Sequence, residues 1–168
     1  MPNRLSTTRK TPRAEKTDKA DKAPSAVEQV DTRFLESLVG YNARRAALAV
    51  IDQFLRHMAV YGLRPVDFSV LSLIAHNPGI TSRQLCGSLN IQPPNLVGLI
   101  NQLQKRELIT RRPHPHDGRA MGLHLTPEGK KMVKQAEITA SELEESATAR
   151  LSPSERATLI RLLKKIYA

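Results

Sequence analysis

The sequence has 168 residues, of which 40% are apolar and only 4% aromatic, enough for one domain with an aliphatic core. Its 26 Lys and Arg exceed its 16 Asp and Glu, so the formal net charge is +10 and a polyanionic partner is expected, either nucleic acid or an anionic membrane surface. The single Cys excludes a disulfide framework and a zinc finger. No apolar run approaches the roughly 18 residues of a transmembrane helix, and residues 1–30 lack the apolar stretch of a secretory signal. We therefore expect a soluble, cytoplasmic protein without membrane contact.

The first 30 residues differ in composition from the rest. They carry seven Lys and Arg against four Asp and Glu, a net charge of +3, and their apolar residues are scattered. Such a segment buries too little surface to offset the entropy of ordering, so we predict a disordered basic tail over residues 1–30 and one folded domain over residues 31–168. The tail either adds nonspecific attraction to DNA or only increases solubility.

A long amphipathic helix is predicted at the start of the domain. From about Phe34, apolar residues recur at spacings of three and four as far as Tyr61, and Gly62 ends the pattern. Three short helices follow. The first begins at Pro65 and stops at Asn77, the second is capped by Thr81 and ends at Asn90.

The third short helix opens at Pro93-Pro94 and has Leu96, Leu99, Ile100 and Leu103 as its apolar face. Three helices separated by tight turns within about 40 residues have helix-turn-helix spacing. The helix at Pro93 then occupies the recognition position, which is the one that enters the major groove of DNA.

A basic hairpin is predicted directly after these helices. Residues 108–113 read as a strand that ends in Pro, residues 114–118 have turn chemistry, and residues 119–125 alternate as a returning strand. A β-hairpin that directly follows a helix-turn-helix is called a wing. Two more helices follow, one capped by Thr126 and running to about Thr148, the other starting at Ser152 with a capping box. The fold class is therefore mainly helical with a small β-hairpin wing.

The sequence contains few features that are typical of an enzyme. The chain has no Gly-rich phosphate loop, no nucleophile elbow and no HExxH motif, so we expect neither an enzyme nor a cofactor. His114, His116 and Asp117 form the one cluster with metal-ligand character, but arginines of the same hairpin disfavour a cation, so we read these residues as a polar turn and predict no metal. Cys86 is either a redox switch or, as its leucine neighbours favour, a small core residue.

The predicted DNA-binding surface combines helix and wing. Residues 62–130 carry eight Lys and Arg against four Asp and Glu, a net charge of +4. Opposite the apolar stripe of the recognition helix lie Asn95, Gly98, Asn101 and Gln102. Asn and Gln are able to bind adenine bidentately in the major groove, and Gly lets the backbone approach. The alternative is a solvated helix face.

In the wing, Arg119 suits a narrow A·T-rich minor groove, where the electrostatic potential is most negative. Asp117 would orient an arginine through a charge-assisted hydrogen bond, with Arg119 as one partner. The alternative is an Asp-Gly turn beside an unrelated arginine. The full set of predicted DNA-contacting residues is Arg83, Pro94, Asn95, Gly98, Asn101, Gln102, Arg111, Arg112, Asp117 and Arg119.

The segment 108–129 resembles the wing of the MarR family, with D-x-R at Asp117 to Arg119 followed by L-T-x-x-G at Leu125 to Gly129. The resemblance covers about residues 34–168. It implies a homodimeric winged-helix repressor or activator, with a winged helix-turn-helix over residues 62–130 and dimerisation helices over residues 31–61 and 131–168. It also implies that Arg119 is the wing-tip arginine, Asp117 its orienting partner and Arg111 the strand arginine. Pro93-Pro94 and Gly98 depart from the usual recognition helix, which leaves the operator sequence open.

The same family often senses small aromatic acids between the dimerisation helices and the DNA-binding lobe. Residues 40–46 resemble members linked to the breakdown of aromatic acids, and an Arg beside Tyr41 suits a carboxylate. We therefore predict Tyr41, Arg44 and Arg45 as effector contacts; a solvated arginine pair or a dimer salt bridge is the alternative.

Together these features predict a transcriptional regulator that binds double-stranded DNA at a pseudo-palindromic operator as a homodimer. We expect a repressor released by a small aromatic acid or its thioester. The alternative is a ligand-independent winged-helix protein that shapes DNA or binds RNA.

Overall fold

The computed structural model of the chain describes residues 30–114 and 117–167, and the side chains of all of these except 114 and 117–120. The predicted tail, residues 1–30, lies outside the described residues apart from Val30. The helices are α1 (Arg33–Glu36), α2 (Val39–Met58), α3 (Pro65–His76), α4 (Ser82–Leu89), α5 (Pro93–Lys105), α6 (Pro127–Ala147) and α7 (Pro153–Tyr167). The strands are β1 (Ile80–Thr81), β2 (Ile109–His114) and β3 (Asp117–Leu125). This is the predicted mainly helical fold with a hairpin wing.

The single long helix predicted from Phe34 is interrupted. Leu38 has extended backbone angles, with φ −93° and ψ 129°, and it separates α1 from α2. The side-chain amide of Asn42 donates to the carbonyl oxygens of Glu36 at 2.7 Å and Leu38 at 2.8 Å, which gives the Glu36 oxygen at the end of α1 a partner across the break. At the other end, a 3₁₀ turn (Ala59–Tyr61) follows α2, and Gly62 closes it in the left-handed region at φ +58°.

The three-stranded antiparallel sheet has the order β1-β3-β2. Strands β2 and β3 form the predicted hairpin, in which Ile109 pairs with Leu125 and Arg111 with Leu123. Strand β1 was not predicted, because two residues are too few to show an alternating pattern. It pairs Ile80 with Leu123 of β3 and thereby connects the helix-turn-helix to the wing.

The core is aliphatic, as the composition predicts. Its fully buried side chains come from the end of α2, from α3, α4 and α5 and from β3; they include Met58, Leu71, Ile74, Leu85, Leu96, Ile100, Leu103 and Leu123. Val133 and Ala136 of α6 close it from one side. Cys86 is half-buried and packs against this core, in line with the structural reading of that residue. The helix-turn-helix and the first turns of α6 therefore form one packed unit.

Two apolar helix faces stay exposed in the single chain. Leu48, Ile51 and Leu55 of α2 are 40–49% exposed. In α7, no described residue is buried, and Leu162 and Leu163 are 47% and 39% exposed. Among the helices of the described ranges, none alone has the length and hydropathy of a membrane span, although the bent pair of Val39–Tyr61 and Pro65–His76 meets both criteria together.

Candidate nucleic-acid interface

Helix α5 has one buried and one exposed face. Leu96, Leu99, Ile100 and Leu103 are at most 7% exposed, so their burial sets the rotation of the helix. The predicted polar face is exposed; it comprises Pro94, Asn95, Gly98, Asn101 and Gln102. Apart from the chain neighbours of Gly98 and the local backbone of α5, no described heavy atom lies within 4 Å of the position that a Cβ on Gly98 would take. The surface of α5 is therefore open at its centre.

Both ends of α4 are fixed by local interactions. Thr81 caps α4: its hydroxyl oxygen accepts from the Gln84 backbone at 3.3 Å, while the Gln84 side chain accepts from the Thr81 backbone at 2.9 Å. Asn90, in the left-handed region at φ 50°, ends α4. Arg83 is exposed on α4, next to this cap.

Two arginines reach the exposed face of α5 from other elements. Nη2 of Arg111, on β2, donates to Oδ1 of Asn101 at 3.3 Å. Nη2 of Arg64, at the start of α3, donates to Oε1 of Gln102 at 3.2 Å. The first contact joins the wing to the recognition helix, and the second joins α3 to it.

Arg64 is itself held by a buried carboxylate. Asp67 is only 5% exposed and accepts from the Arg64 side chain through both oxygens, at 2.8 and 2.9 Å, and from the Arg64 backbone at 3.0 Å. Burial raises the pKa of Asp67, but the hydrogen bonds from Arg64 and the charges of Arg64 and Arg106 outweigh it, so the pKa lies below its usual value. The carboxylate is therefore ionised at neutral pH and fixes the guanidinium group.

Arg106, one residue beyond α5, connects that helix to the end of the 3₁₀ turn. It donates from Nη1 to the carbonyl oxygen of Gly62 at 2.9 Å and from Nη2 to that of Tyr61 at 2.7 Å. Arg64, Asp67 and Arg106 were not among the predicted site residues. The sequence carried a signal for Asp67, because Pro65 at the first helical position and an acid two residues later are typical of a helix start. It carried none for Arg106.

The two arginines of β2 lie on opposite sides of the sheet, because neighbouring residues in a strand alternate. Arg111 contacts α5, whereas Arg112 lines a cleft on the other side. Asp117 and Arg119 lie in β3, but their side chains are outside the described part, so the predicted pair stays a prediction. The cluster of His114, His116 and Asp117 is outside it as well; among the described residues no three His, Cys, Asp or Glu side chains are placed to hold a metal.

The cleft beside Arg112 lies between α3, the sheet and α6 and has a volume of about 290 Å³. Its floor is apolar and includes Ile74, Leu125 and Val133, which are at most 8% exposed. Its rim is mostly cationic; the ionisable residues there are Arg112, His124, Lys130, Lys134 and Glu137. Such a cleft suits a small anion with an apolar body.

The predicted effector residues do not line this cleft. Tyr41, Arg44 and Arg45 lie on α2, where Tyr41 is half-buried and both arginines are exposed. Nη1 of Arg45 is 3.4 Å from the Tyr41 hydroxyl oxygen, to which it donates, and the guanidinium carbon is 5.9 Å from the centre of the Tyr41 ring. The structure thus brings Tyr41 and Arg45 together, while Arg44 points to a different side of the helix.

Comparison with known proteins agrees with this geometry. A family model of the MarR family matches residues 61–120. A transcriptional regulatory protein for the hcr operon of Thauera aromatica is 35% identical over 130 residues, which cover 77% of this chain and 78% of that protein. The repressor CouR, solved on a 23-mer DNA duplex, is 33% identical with a TM-score of 0.78, over 83% of this chain and 99% of the other.

A second structure of CouR contains p-coumaroyl-CoA; it is 32% identical, with a TM-score of 0.74 over 82% of this chain and 97% of that one. BpsR of Bordetella bronchiseptica, whose DNA binding is regulated by 6-hydroxynicotinic acid, is 25% identical with a TM-score of 0.72, over 78% of this chain and 94% of the other. These matches confirm the predicted fold and family. The chain belongs to the MarR family of DNA-binding transcriptional regulators.

Proposed function

We propose that this protein is a homodimeric repressor that binds a pseudo-palindromic operator and is released from it by a small aromatic acid or its thioester. The observation that carries the DNA-binding part is the exposed polar face of α5, joined to a basic hairpin through the hydrogen bond from Arg111 to Asn101. A groove-reading helix beside a basic wing is the geometry of sequence-specific recognition. Such a regulator acts in the cytoplasm, where the chromosomal DNA lies.

The DNA contacts follow from this placement. The recognition helix would contribute the residues of its polar face, with Arg111 on β2 and Arg83 on α4 near the phosphates, whereas Arg112, predicted as a further contact, lies on the side of the sheet that faces the cleft. Arg119, at the tip of the wing, would enter the minor groove, oriented by Asp117. None of these side chains is needed for the core, because those that the structure describes are exposed.

The homodimer is supported by the open apolar faces of α2 and α7. Leucines and isoleucines that recur on one exposed side of a helix form a contiguous apolar patch, which marks an interaction surface. A second copy of the chain would cover them and would place two recognition helices about 34–36 Å apart, one turn of DNA.

The experiment for this part is to sequence the genomic DNA fragments that the purified protein retains at moderate salt. We expect one enriched site with two-fold symmetry, bound at least tenfold more weakly by Arg119→Ala, whose melting temperature should be unchanged. Retention without a shared sequence would instead favour an architectural role. Preference for RNA over the same DNA sequence would favour an RNA-binding winged helix.

The effector class rests on two features. An aromatic carboxylate needs a cation and an apolar wall, and a coenzyme A thioester carries phosphates that need more cations. The cleft of about 290 Å³ offers an apolar floor and a rim that includes Lys130 and Lys134, while Tyr41 with Arg44 or Arg45 offers a second carboxylate contact on α2. Among the relatives, CouR binds p-coumaroyl-CoA and BpsR responds to 6-hydroxynicotinic acid.

Calorimetry with benzoates, cinnamates and their coenzyme A thioesters, with and without operator DNA, tests the effector. Linkage requires that operator DNA weaken ligand binding by the factor by which the ligand weakens DNA binding. Arg44→Ala and Arg45→Ala report on the α2 contacts, and Lys134→Ala reports on the cleft. A ligand whose affinity is indifferent to DNA and to all three variants would contradict the proposal.

A further inference from the structure

The exposed face of α5 carries two side-chain amides, and each has the same kind of neighbour. Oδ1 of Asn101 accepts from Arg111 at 3.3 Å, and Oε1 of Gln102 accepts from Arg64 at 3.2 Å. A guanidinium group has donors and no acceptor, so the amide atom that faces it is the oxygen. The orientation of both amides is therefore determined by their partners.

The orientation of the two amides determines which hydrogen-bonding groups they present to DNA. Each oxygen already accepts one hydrogen bond from a cation, which weakens its remaining lone pair as an acceptor and strengthens the NH₂ group as a donor, and both side chains are exposed. Bidentate recognition of adenine needs an acceptor for N6 and a donor for N7 on the same amide. Guanine presents two acceptors, N7 and O6, and needs donors only.

We propose that Arg64 and Arg111 bias the amides of Gln102 and Asn101 toward donating hydrogen bonds, so that the recognition helix prefers guanine to adenine in the major groove. The inference rests on the proposed function, since it requires that α5 enters the groove. It replaces the sequence-based expectation that these amides bind adenine. Arg64 is then a positioning residue that acts on base preference through Gln102.

Asp67 fixes the position of the Arg64 guanidinium group beside Gln102. Asp67 is 5% exposed and holds the guanidinium group through two hydrogen bonds of 2.8 and 2.9 Å. Paired in this way, Arg64 keeps one face toward Gln102 without needing DNA. Gln102, Arg64 and Gly98 all line the same hollow on the surface of α5, and Gly98 leaves room there for a base edge.

The test is selection of binding sites from random duplex DNA with the full-length protein and its variants. Gln102→Glu keeps an acceptor for Arg64 but removes the NH₂ group, so the base position that loses its preference in this variant is the one facing Gln102. Gln104→Glu adds the same charge to α5 at a half-buried position and is the matched control. We expect guanine at the identified position in the wild type, and loss of that preference only in Gln102→Glu.

A second variant in the same selection experiment removes the hydrogen bond that orients the Gln102 amide. Arg64→Ala combined with Asp67→Asn removes the donor that orients Gln102 without leaving an unpaired buried carboxylate, and the introduced amide still offers an oxygen to the backbone of residue 64. We expect adenine to rise at least to parity with guanine at the Gln102 position, while the other positions keep their preferences. A change confined to overall affinity would indicate a merely structural role and would overturn the proposal.

Two further outcomes separate this inference from the function on which it rests. A wild-type protein that selects a symmetric operator with adenine at the Gln102 position would overturn the inference and leave the proposed function intact. The same holds if a symmetric operator is selected and no position responds to Gln102→Glu. If the wild type selects no sequence, the proposed function fails and the inference fails with it.

Discussion

At the scale of single residues, the first turn of α6 rests directly on the backbone that leads into β2. The Thr126 hydroxyl donates to the carbonyl oxygen of Glu107 at 2.6 Å, and the Thr126 backbone donates to that of Leu108 at 3.0 Å. A Cβ on Gly129 would lie 2.0 Å from the same Leu108 oxygen. The Thr and Gly of the L-T-x-x-G motif are thus explained by this close approach, which fixes the wing relative to α6.

Gly129→Ala should therefore destabilise the protein by about 1–3 kcal/mol, because the clash is with backbone and no flexible side chain is able to move away. Gly87→Ala is the matched control. Gly87 lies in α4, and apart from its chain neighbours and the local backbone of α4 no described heavy atom lies within 4 Å of the position that its Cβ would take, so we expect a stabilisation of about 0.5–1 kcal/mol from helix propensity. Urea denaturation of both variants measures the difference. Equal effects would show that the contact at Leu108 relaxes easily.

The ion pair of Arg64 with Asp67 gives a prediction for acid stability. The pKa of Asp67 is lowered below 3.8 in the folded state, so its contribution is complete above that value and is lost as the pH falls through the folded pKa. Asp67→Asn lacks this charge but resembles the protonated acid. We expect the variant to be less stable than the wild type at pH 7, with the difference shrinking below about pH 4.

Urea denaturation of both proteins between pH 3 and pH 7 provides the measurement. Because other carboxylates titrate in both proteins, only the difference between them reports on Asp67. A difference that stays constant across this range would mean that the carboxylate is not stabilised by its partners in the folded state.

At the scale of elements, α5 is held by contacts from three directions. Arg111 reaches it from β2 and Arg64 from α3, while Arg106 connects its end to the carbonyl oxygens that follow α2. A shift of α2 relative to α3 would therefore act on the recognition helix through Arg106. This connection offers a physical route from the proposed ligand sites beside α2 and α6 to the exposed face of α5.

The exposed face of α7 leads to a prediction about assembly. Leu162→Glu or Leu163→Glu should convert a dimer into a monomer, because a charge on that face would be buried without a partner. Lys164→Glu, a change of charge on the opposite side of the helix, should leave the dimer unchanged. Light scattering at several concentrations measures the mass, and a gel shift measures DNA binding, which should fall with dimer loss. A dimer in both leucine variants would show that α7 is covered in another way.

At the scale of the whole molecule, the charge is distributed unevenly. The net charge is +10 for the chain and +3 for residues 1–30. We expect the charges of the recognition helix and wing to act at the operator and those of residues 1–30 to attract DNA of any sequence, because a scattered basic segment offers charge without a pattern for reading bases. Specific and nonspecific binding are thus expected to depend on different parts of the chain.

Deletion of residues 1–30 should leave the selected operator sequence unchanged. It should lower the affinity for nonspecific DNA and reduce the dependence of that affinity on salt, since each phosphate that a cation neutralises contributes about 0.9 to the slope of log affinity against log salt. Fluorescence anisotropy with operator and scrambled DNA at several salt concentrations provides the measurement. A truncated protein that no longer distinguishes the two DNAs would contradict the assignment of specificity to the folded domain.

Local chemistry was enough to predict most elements of this protein. Caps and breakers such as Thr81, Asn90 and Thr126 act within a few residues, so the sequence alone determined where α4 and α6 begin and where α4 ends. The burial of Leu96, Leu99, Ile100 and Leu103 follows from their helical spacing, and with it the exposure of the opposite face. The resemblance of the wing motif then identified the family.

Other features depended on residues distant in sequence, and only the tertiary structure decided them. Strand β1 exists because β3 pairs with it, and the cleft beside Arg112 exists because α3, α6 and the sheet meet there. The orientation of the Gln102 amide is set by Arg64, which is 38 positions away in the sequence. The sequence therefore determined which residues lie on the exposed face of α5, because helical periodicity is local, whereas the hydrogen-bond partners of the two amides were decided by contacts that only the folded chain brings together.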